Sequence, residues 1–416
     1  MAREFVSRGY AVVGSRDEAD VYVLNTCTVT AEADRKVRQW LRAARRRNSS
    51  SVVVSVGCGV ERDEAALGGL SDLCVGNSDK NRLVDLVESY LGARGRVCAQ
   101  GDGAGIPAGA SRTRTVLKVQ EGCTTCCAYC IVPSVRQGEQ SVPADEVIRL
   151  VEERVGEGYR EIVLTGTKIG VYRDGDIGFA GLLRRVLSVA GSSRIRLSSL
   201  QPRELSAELL SLWQDSRLCP HFHLSLQSGS DSVLRRMGRA YSLPEYDEAL
   251  KAIRDVLSGC AVTTDIIVGF PGESEQEFSE SFDFCKDSGF ARMHVFPYSP
   301  RPGTRAATMG GRLSSTEMSR RVEAMGGLAR DSLQRYAQSW LHSPVEALWE
   351  GHHRGNRHVW SGTTGNYLHV LCESSDPLHN VIESVTPVRI EGDRVWVRRS
   401  DEGSGGCEAE LQGTGH

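Results

Sequence analysis

A chain of 416 residues is too long for one hydrophobic core, so two or three domains are expected. Its 50 basic and 53 acidic residues nearly cancel to a net charge of −3, so nucleic-acid binding must rest on local patches. With 40% apolar residues, no apolar run as long as a membrane span and no signal-peptide pattern at Met1, a cytoplasmic protein is expected. Thirteen cysteines, an odd number without an export signal, point to metal or redox chemistry rather than a disulfide framework.

The predicted fold class is α/β. Residues 1–98 read as a small, incomplete Rossmann-like unit: a strand at Val21–Leu24, a helix over Ala31–Arg47, a strand at Val52–Val54 and a helix from Asp79 to Leu91. The Gly/Ala-rich stretch 99–114 reads as a linker. From 115 to 340, six apolar strands (116–120, 161–165, 194–199, 222–226, 262–268 and 292–296) alternate with amphipathic helices such as 145–155 and 275–287. This repeat predicts a partial TIM-type barrel with its site at the C-terminal strand ends. Residues 341–400 carry five short strands, the pattern of a small β-barrel, and the Gly-rich acidic tail 401–416 reads as disordered.

After the first barrel strand comes Glu121-Gly122-Cys123-Thr124-Thr125-Cys126-Cys127-Ala128-Tyr129-Cys130. Cys123, Cys127 and Cys130 form C-x3-C-x2-C, and three thiolates on one loop can each hold one iron of a [4Fe-4S] cubane. The fourth iron then stays open to a chelating molecule such as S-adenosylmethionine (SAM), whose reductive cleavage gives an adenosyl radical. Zinc is the rival reading, but zinc favours two separated C-x2-C pairs, and adjacent Cys126 and Cys127 leave no room for them. Cys126 is the surplus thiol. Cys27 and Cys58 each follow a predicted strand, so they emerge on the same sheet edge, where ligands bind. Cys27 also precedes a helix N-terminus, which favours a thiolate. Two ordinary buried thiols are the alternative.

These motifs, with LTGTKIGVY (164–172), RLSSLQP (196–202), HLSLQSGSDSVLRRMGRAY (223–241), TTDIIVGFPGESEQEF (263–278) and HVFPYSPRPGTRAA (294–307), resemble the radical SAM methylthiotransferase family. The region after Ser343 resembles a TRAM domain, an RNA-binding β-barrel. The resemblance implies two [4Fe-4S] clusters and SAM. One SAM would methylate sulfur at an auxiliary cluster. A second would yield the radical that abstracts hydrogen from an unreactive carbon, usually of a tRNA base.

NTCTVTAEADRKVRQ (25–39) and VGCGVE (56–61) match the family's second and third auxiliary ligand motifs, which implies Cys27 and Cys58 as ligands. The first ligand normally follows an initial strand. This chain starts inside the following helix (AREFVSRGY, 2–10), so that ligand is expected to be absent and the second cluster incomplete or labile. Cys74 is a remote substitute. Gly166, Ser225 and Gln227, at strand ends, are candidates for SAM contacts. The segments NTCTVT and HVFPYSPRPGT resemble the members that methylthiolate C2 of N6-threonylcarbamoyladenosine beside the anticodon. Isopentenyladenosine and a ribosomal-protein aspartate are the alternative substrates.

The implied partners are the tRNA anticodon stem-loop and a one-electron reductant such as flavodoxin or ferredoxin, with no membrane. Two regions offer local RNA contacts. Arg35, Lys36, Arg38, Arg42, Arg45, Arg46 and Arg47 share one predicted helix. In the β module Trp349, Arg354, Arg357, Trp360, Tyr367 and Arg389 interleave aromatic and basic side chains, although the tryptophans also suit a core. A non-catalytic RNA-binding protein with a degenerate cluster, and a zinc-stabilised scaffold, are the rivals from other classes.

Overall fold

The computed structural model describes residues 1–28, 30–95, 113–136, 138–353 and 356–400. Most of the expected linker, Arg354 and the tail 401–416 lie outside the described residues. The N-terminal unit holds three parallel strands, β1 (Val21–Thr26), β2 (Val52–Gly57) and β3 (Leu73–Val75), in the order β1-β2-β3. The central β2 is buried at every position, which its unbroken VVVSVG run suits. Helix Ala31–Arg47 starts at Thr30, whose hydroxyl accepts from Ala33 N at 3.1 Å. Its Val37, Leu41 and Ala44 pack on Val53, Val60 and Leu67. Helix Leu83–Ala93 and Phe5 cover the opposite sheet face.

The second unit runs through β4 (Arg114–Glu121), its short antiparallel partner β5 (Gln140–Ser141), β6 (Glu161–Gly166), the hairpin β7 (Arg173–Asp174) and β8 (Ile177–Gly178), and β9 (Arg194–Leu197). It continues with β10 (Ser199–Leu200), β11 (His221–Leu224), β12 (Ala261–Val268) and β13 (Arg292–Pro297). The expected single strand 194–199 is broken at Ser198. Ser198 N still bonds Leu164 O of β6 at 3.0 Å, and Ser199 then pairs with His223 of β11. That corner joins the sheets β5-β4-β6-β9 and β10-β11-β12-β13 into six parallel staves of an open barrel. Alternate residues such as Leu117, Ile162, Leu197, Leu224, Ile266 and Met293 pack outward into one core with the surrounding helices. The opposite positions face the lumen. Val116 and Phe296, on the two terminal staves, are 57% and 44% exposed, so the seam between β4 and β13 is open.

The third unit is a closed barrel of β14 (Val345–His353), β15 (Asn356–Thr364), β16 (His369–Glu373), β17 (Ile382–Glu391) and β18 (Arg394–Arg399), ordered β14-β15-β16-β18-β17. Trp349 and Trp360 belong to its core with Val370, Val385 and Val395, so neither offers a stacking face for RNA. Tyr367 is engaged as well, stacked on His221 with centroids 4.1 Å apart. Arg114, assigned to the linker from composition, instead opens β4 and meets Glu350 of β14 at 3.2 Å.

This small barrel docks on the N-terminal ends of the large barrel's strands. Buried Glu161 accepts from Arg194 at 2.6 Å and from Arg196 at 2.9 Å. The two arginines also donate to the carbonyls of Thr363, Thr364 and Gly365 at 2.7–3.0 Å. Burial would raise the Glu161 pKa, but Arg196 and Arg194 outweigh it and hold it down at about 2.

Candidate functional site

The cysteine loop leaves β4 through a turn that only glycine allows. Gly122 has φ +80°, and a Cβ there would lie 1.6 Å from the carbonyl oxygen of Gly138. Gln120, buried at the end of β4, donates to the carbonyls of Glu121 and Gly122 and accepts from Lys168 N at 2.8 Å. Glu139 accepts from both the amide and the hydroxyl of Thr124, at 3.1 and 2.9 Å. The middle of the loop is stapled to the barrel rim: Ala128 N donates to Met237 O, and Ala306 N to Ala128 O, both at 2.7 Å.

Cys123, Cys127 and Cys130 are half-buried on this loop, whereas Cys126 is exposed. Thr125 N donates to the Cys123 sulfur at 3.4 Å, and Arg239 Nη1 to the Cys127 sulfur at 3.4 Å. Burial pushes the Cys130 thiol up to about 11, with Cys127 and Cys123 adding to the rise and the backbone bond from Val132 opposing it. The three thiols therefore share one electrostatic neighbourhood. Among the described residues no three His, Cys, Asp or Glu side chains converge on a single metal ion. A cubane spreads its thiolates over different irons, so it does not ask for such convergence. The half-buried thiols and the pinned loop fit the cubane, with Cys126 turned away toward Thr124 O at 3.7 Å.

Arg239 and Tyr241 escaped the sequence reading, though both lie in the MGRAY end of a quoted motif. Arg239 Nε donates to the Tyr241 hydroxyl at 3.1 Å, and that hydroxyl donates to the carbonyls of Ser225 and Leu226. The pair thus connects the cysteine loop to the end of β11. Ser225 and Gln227 lie there, on the same rim as Gly166 at the end of β6. Gln227 has φ +72°, a strained value for a non-glycine, and its backbone bridges Asp265 and Ile267 of β12. A Cβ at Gly166 would sit 2.7 Å from Gln120 O, so close packing against β4 already accounts for that glycine.

Cys27 and Cys58 line one cavity of ≈ 80 Å³ with Asn25, Lys80, Val135 and Arg136. Cys27 is exposed and Cys58 buried, at the first turn of helix Cys58–Arg62. Cys74 lies in β3 and does not line the cavity. One wall is Ile131–Arg136, the segment that follows Cys130, so the two cysteine sites share a partition. Arg136 Nε donates to the Cys58 sulfur at 3.1 Å, and Asn77 Nδ2 to the same sulfur at 3.4 Å. Burial works against the Arg136 charge, but Cys58 and Glu121 outweigh it and raise its pKa. Burial lowers the Lys80 pKa, with Cys58 opposing. A cationic lining suits an anionic occupant.

The Cys27 loop is clamped to the barrel. Arg301, 2% exposed, donates to Thr28 Oγ1 and Asp34 Oδ2, both at 2.7 Å. Arg62 donates to the same Thr28 hydroxyl and Asp34 carboxylate. Burial would raise the Asp34 pKa, but Arg301, Arg62 and Thr28 lower it overall. On the neighbouring helix, Arg45 is committed to Asp72 and Ser51 O, so it drops out of the basic residues expected to contact RNA. Arg35, Lys36, Arg38, Arg42 and Arg46 remain exposed.

An open parallel barrel with a three-cysteine loop at its mouth defines a radical SAM enzyme. Residues 117–285 match the Radical SAM superfamily, and residues 1–76 match the uncharacterized protein family UPF0004. The threonylcarbamoyladenosine tRNA methylthiotransferase MtaB of Bacillus subtilis (strain 168) is 35% identical over 400 residues, 92% of this chain and 88% of that protein. The Aquifex aeolicus (strain VF5) protein of the same name is 37% identical over 360 residues, 84% of this chain and 88% of that protein. The tRNA-2-methylthio-N(6)-dimethylallyladenosine synthase of Geobacter metallireducens is 33% identical over 383 residues, 86% of this chain and 85% of that protein. Among solved structures, the radical SAM methyltransferase TsrM of Kitasatospora setae shares the fold, with TM-score 0.53 and 14% identity over 74% of this chain and 68% of that one. The chain belongs to the radical SAM methylthiotransferases that modify tRNA. A [4Fe-4S] cluster and SAM come with that family, and the non-catalytic and zinc-scaffold readings give way. No helix among the described residues is long and apolar enough to cross a membrane.

Proposed function

We propose that this enzyme attaches a methylthio group to C2 of N6-threonylcarbamoyladenosine next to the anticodon of tRNA. The observation that carries the reading is alignment over most of the chain with two proteins named for that substrate. Cys123, Cys127 and Cys130 hold the radical SAM cluster, and Cys27 and Cys58 serve a second iron–sulfur site. With SAM bound and an electron supplied, the first cluster would supply one-electron cleavage of SAM to an adenosyl radical able to take hydrogen from an unreactive carbon.

The protein's own residues do the rest. Gln120, Glu139 and the Met237 carbonyl hold the cysteine loop at the mouth. Arg239 supplies a hydrogen bond and positive charge beside Cys127. Ser225, Gln227 and Gly166 edge the rim that would hold SAM. Lys80 and Arg136 offset negative charge around Cys58. The Asp34–Arg301–Arg62 clamp keeps the Cys27 loop over the partition that follows Cys130. A one-electron carrier of the flavodoxin or ferredoxin kind supplies the electron, and a tRNA substrate goes with a cytoplasmic address.

The test gives anaerobically reconstituted enzyme two tRNAs, one bearing N6-threonylcarbamoyladenosine and one bearing N6-isopentenyladenosine, and reads nucleosides by mass spectrometry. Methylthiolation of the first alone is expected. Methylthiolation of the isopentenyl tRNA alone would overturn the substrate and favour the second reading, for which the Geobacter metallireducens relative speaks.

A further inference from the structure

The large barrel's lumen carries a polar layer that neither the cysteine loop nor the rim residues use. On three adjacent staves His223, Asp265 and His294 point inward, opposite Phe222, Ile266 and Met293 of the outer core. His223 Nδ1 meets Thr263 Oγ1 at 2.9 Å and its Nε2 meets Asp265 Oδ2 at 3.3 Å. The imidazoles of His223 and His294 are 6.1 Å apart. Two positions before His294 on the same face of β13, Arg292 keeps Nε and Nη2 buried without a hydrogen-bond partner. Among the described residues Arg292 also has no ion pair. A buried guanidinium with open donors calls for an anion or for water. The layer is reachable: the Asp265 side chain is 31% exposed, and the seam beside Phe296 is open.

From this geometry we infer that Arg292, His294, His223 and Asp265 form a subsite for a polar, carboxylate-bearing arm on N6 of the target adenine. The inference rests on the proposed substrate and deepens it. His223 lies two residues below Ser225 on one stave, about 7 Å down the strand direction. A base held at the rim therefore sends an N6 substituent of several ångströms into this layer. There the urea N–H groups of a carbamoyl-amino-acid arm face Asp265, and its carboxylate faces His294 and the unpartnered Arg292. A hydrocarbon arm would leave the buried Arg292 donors unmatched, a large penalty for a buried polar group.

The experiment measures equilibrium binding of anticodon stem-loops to the reconstituted enzyme with SAM and no reductant, by fluorescence anisotropy. The stem-loops carry N6-threonylcarbamoyladenosine, N6-isopentenyladenosine or plain adenosine at the same position. The variants are Arg292→Met, Arg292→Lys and His294→Phe, each checked for its thermal transition and iron content. The unaltered enzyme is expected to favour the threonylcarbamoyl stem-loop over plain adenosine by about tenfold or more. Arg292→Met and His294→Phe should erase most of that preference, lowering affinity for the threonylcarbamoyl stem-loop far more than for plain adenosine. Arg292→Lys, which keeps the charge, should retain part of it. Full preference in both Arg292→Met and His294→Phe would overturn the subsite and leave the proposed substrate standing. No preference in the unaltered enzyme would overturn the proposed substrate itself, and the subsite with it. Equal loss of affinity for all three stem-loops in folded variants would also overturn it, because it would show a structural rather than a recognition role.

Discussion

At the scale of single residues, the cysteines separate by environment rather than by spacing alone. Cys126 and Cys127 are neighbours in sequence, but only the Cys127 sulfur receives the Arg239 guanidinium, while Cys126 is exposed and turned to Thr124 O. Cys127→Ala is therefore expected to abolish reductive SAM cleavage and to lose the ~4 irons of that cluster. Cys126→Ala should keep both. Iron and sulfide analysis with a SAM cleavage assay reads the difference, and loss of cleavage in Cys126→Ala would exchange the two roles. Arg239→Leu removes a buried cation from beside Cys127. It should keep the iron but alter the cluster's spectrum or potential, because a hydrogen bond to a ligand sulfur tunes the metal it holds. An unchanged spectrum and potential would remove Arg239 from the site.

Between elements, the decisive contact joins parts of the chain that sequence reading treats separately. Asp34 sits in the first turn of helix Ala31–Arg47, and its partner Arg301 lies 267 residues away in the loop after β13. Thr28, two residues before the Thr30 cap, takes hydrogen bonds from both Arg301 and Arg62. Asp34→Ala leaves two cations, one of them almost fully buried, without their carboxylate, and is expected to destabilise by about 3–5 kcal/mol. Because the clamp fixes the Cys27 loop, the same change should speed proteolysis near residues 27–30 while the barrel stays folded. A double-mutant cycle with Arg301→Met checks the pairing. Additive losses would mean the two groups act independently.

The elements themselves were legible. Helix Ala31–Arg47 was readable to its ends, and β2 from its run of valines. C-x3-C-x2-C was readable because its three ligands lie on one loop. The clamp, and the approach of Arg136 to Cys58, were not. No local periodicity records a contact made across the fold. The tryptophans failed as an RNA surface for a related reason: a half-buried strand pattern does not say which face of a five-stranded barrel is the inside.

At the scale of the whole molecule, the small barrel closes the end of the large barrel opposite the cysteine loop, with a buried charge cluster at the seam. Glu161 of β6 faces Arg194 and Arg196 of β9, and both arginines reach the carbonyls of residues 363–365. Glu161→Gln keeps the shape, leaves two buried cations uncompensated, and is expected to destabilise by about 3–5 kcal/mol at neutral pH. The pH dependence follows from the sign of the shift. The folded pKa of about 2 lies below the ordinary 4.5, so the unfolded chain binds the proton more tightly. The carboxylate's contribution is complete above about pH 5 and fades as pH falls through 4.5 toward 2. Other carboxylates titrate in the same range, so the informative quantity is the difference between the unaltered enzyme and Glu161→Gln. Thermal or urea unfolding of both from pH 7 to pH 3 should show that difference widest at pH 7 and narrowing on acidification, as the unfolded chain's carboxyl takes up a proton while the native carboxylate, with its pKa of about 2, stays ionised. A difference that stays constant across that window would mean Glu161 holds the two barrels together by shape and hydrogen bonding alone, with its charge contributing nothing.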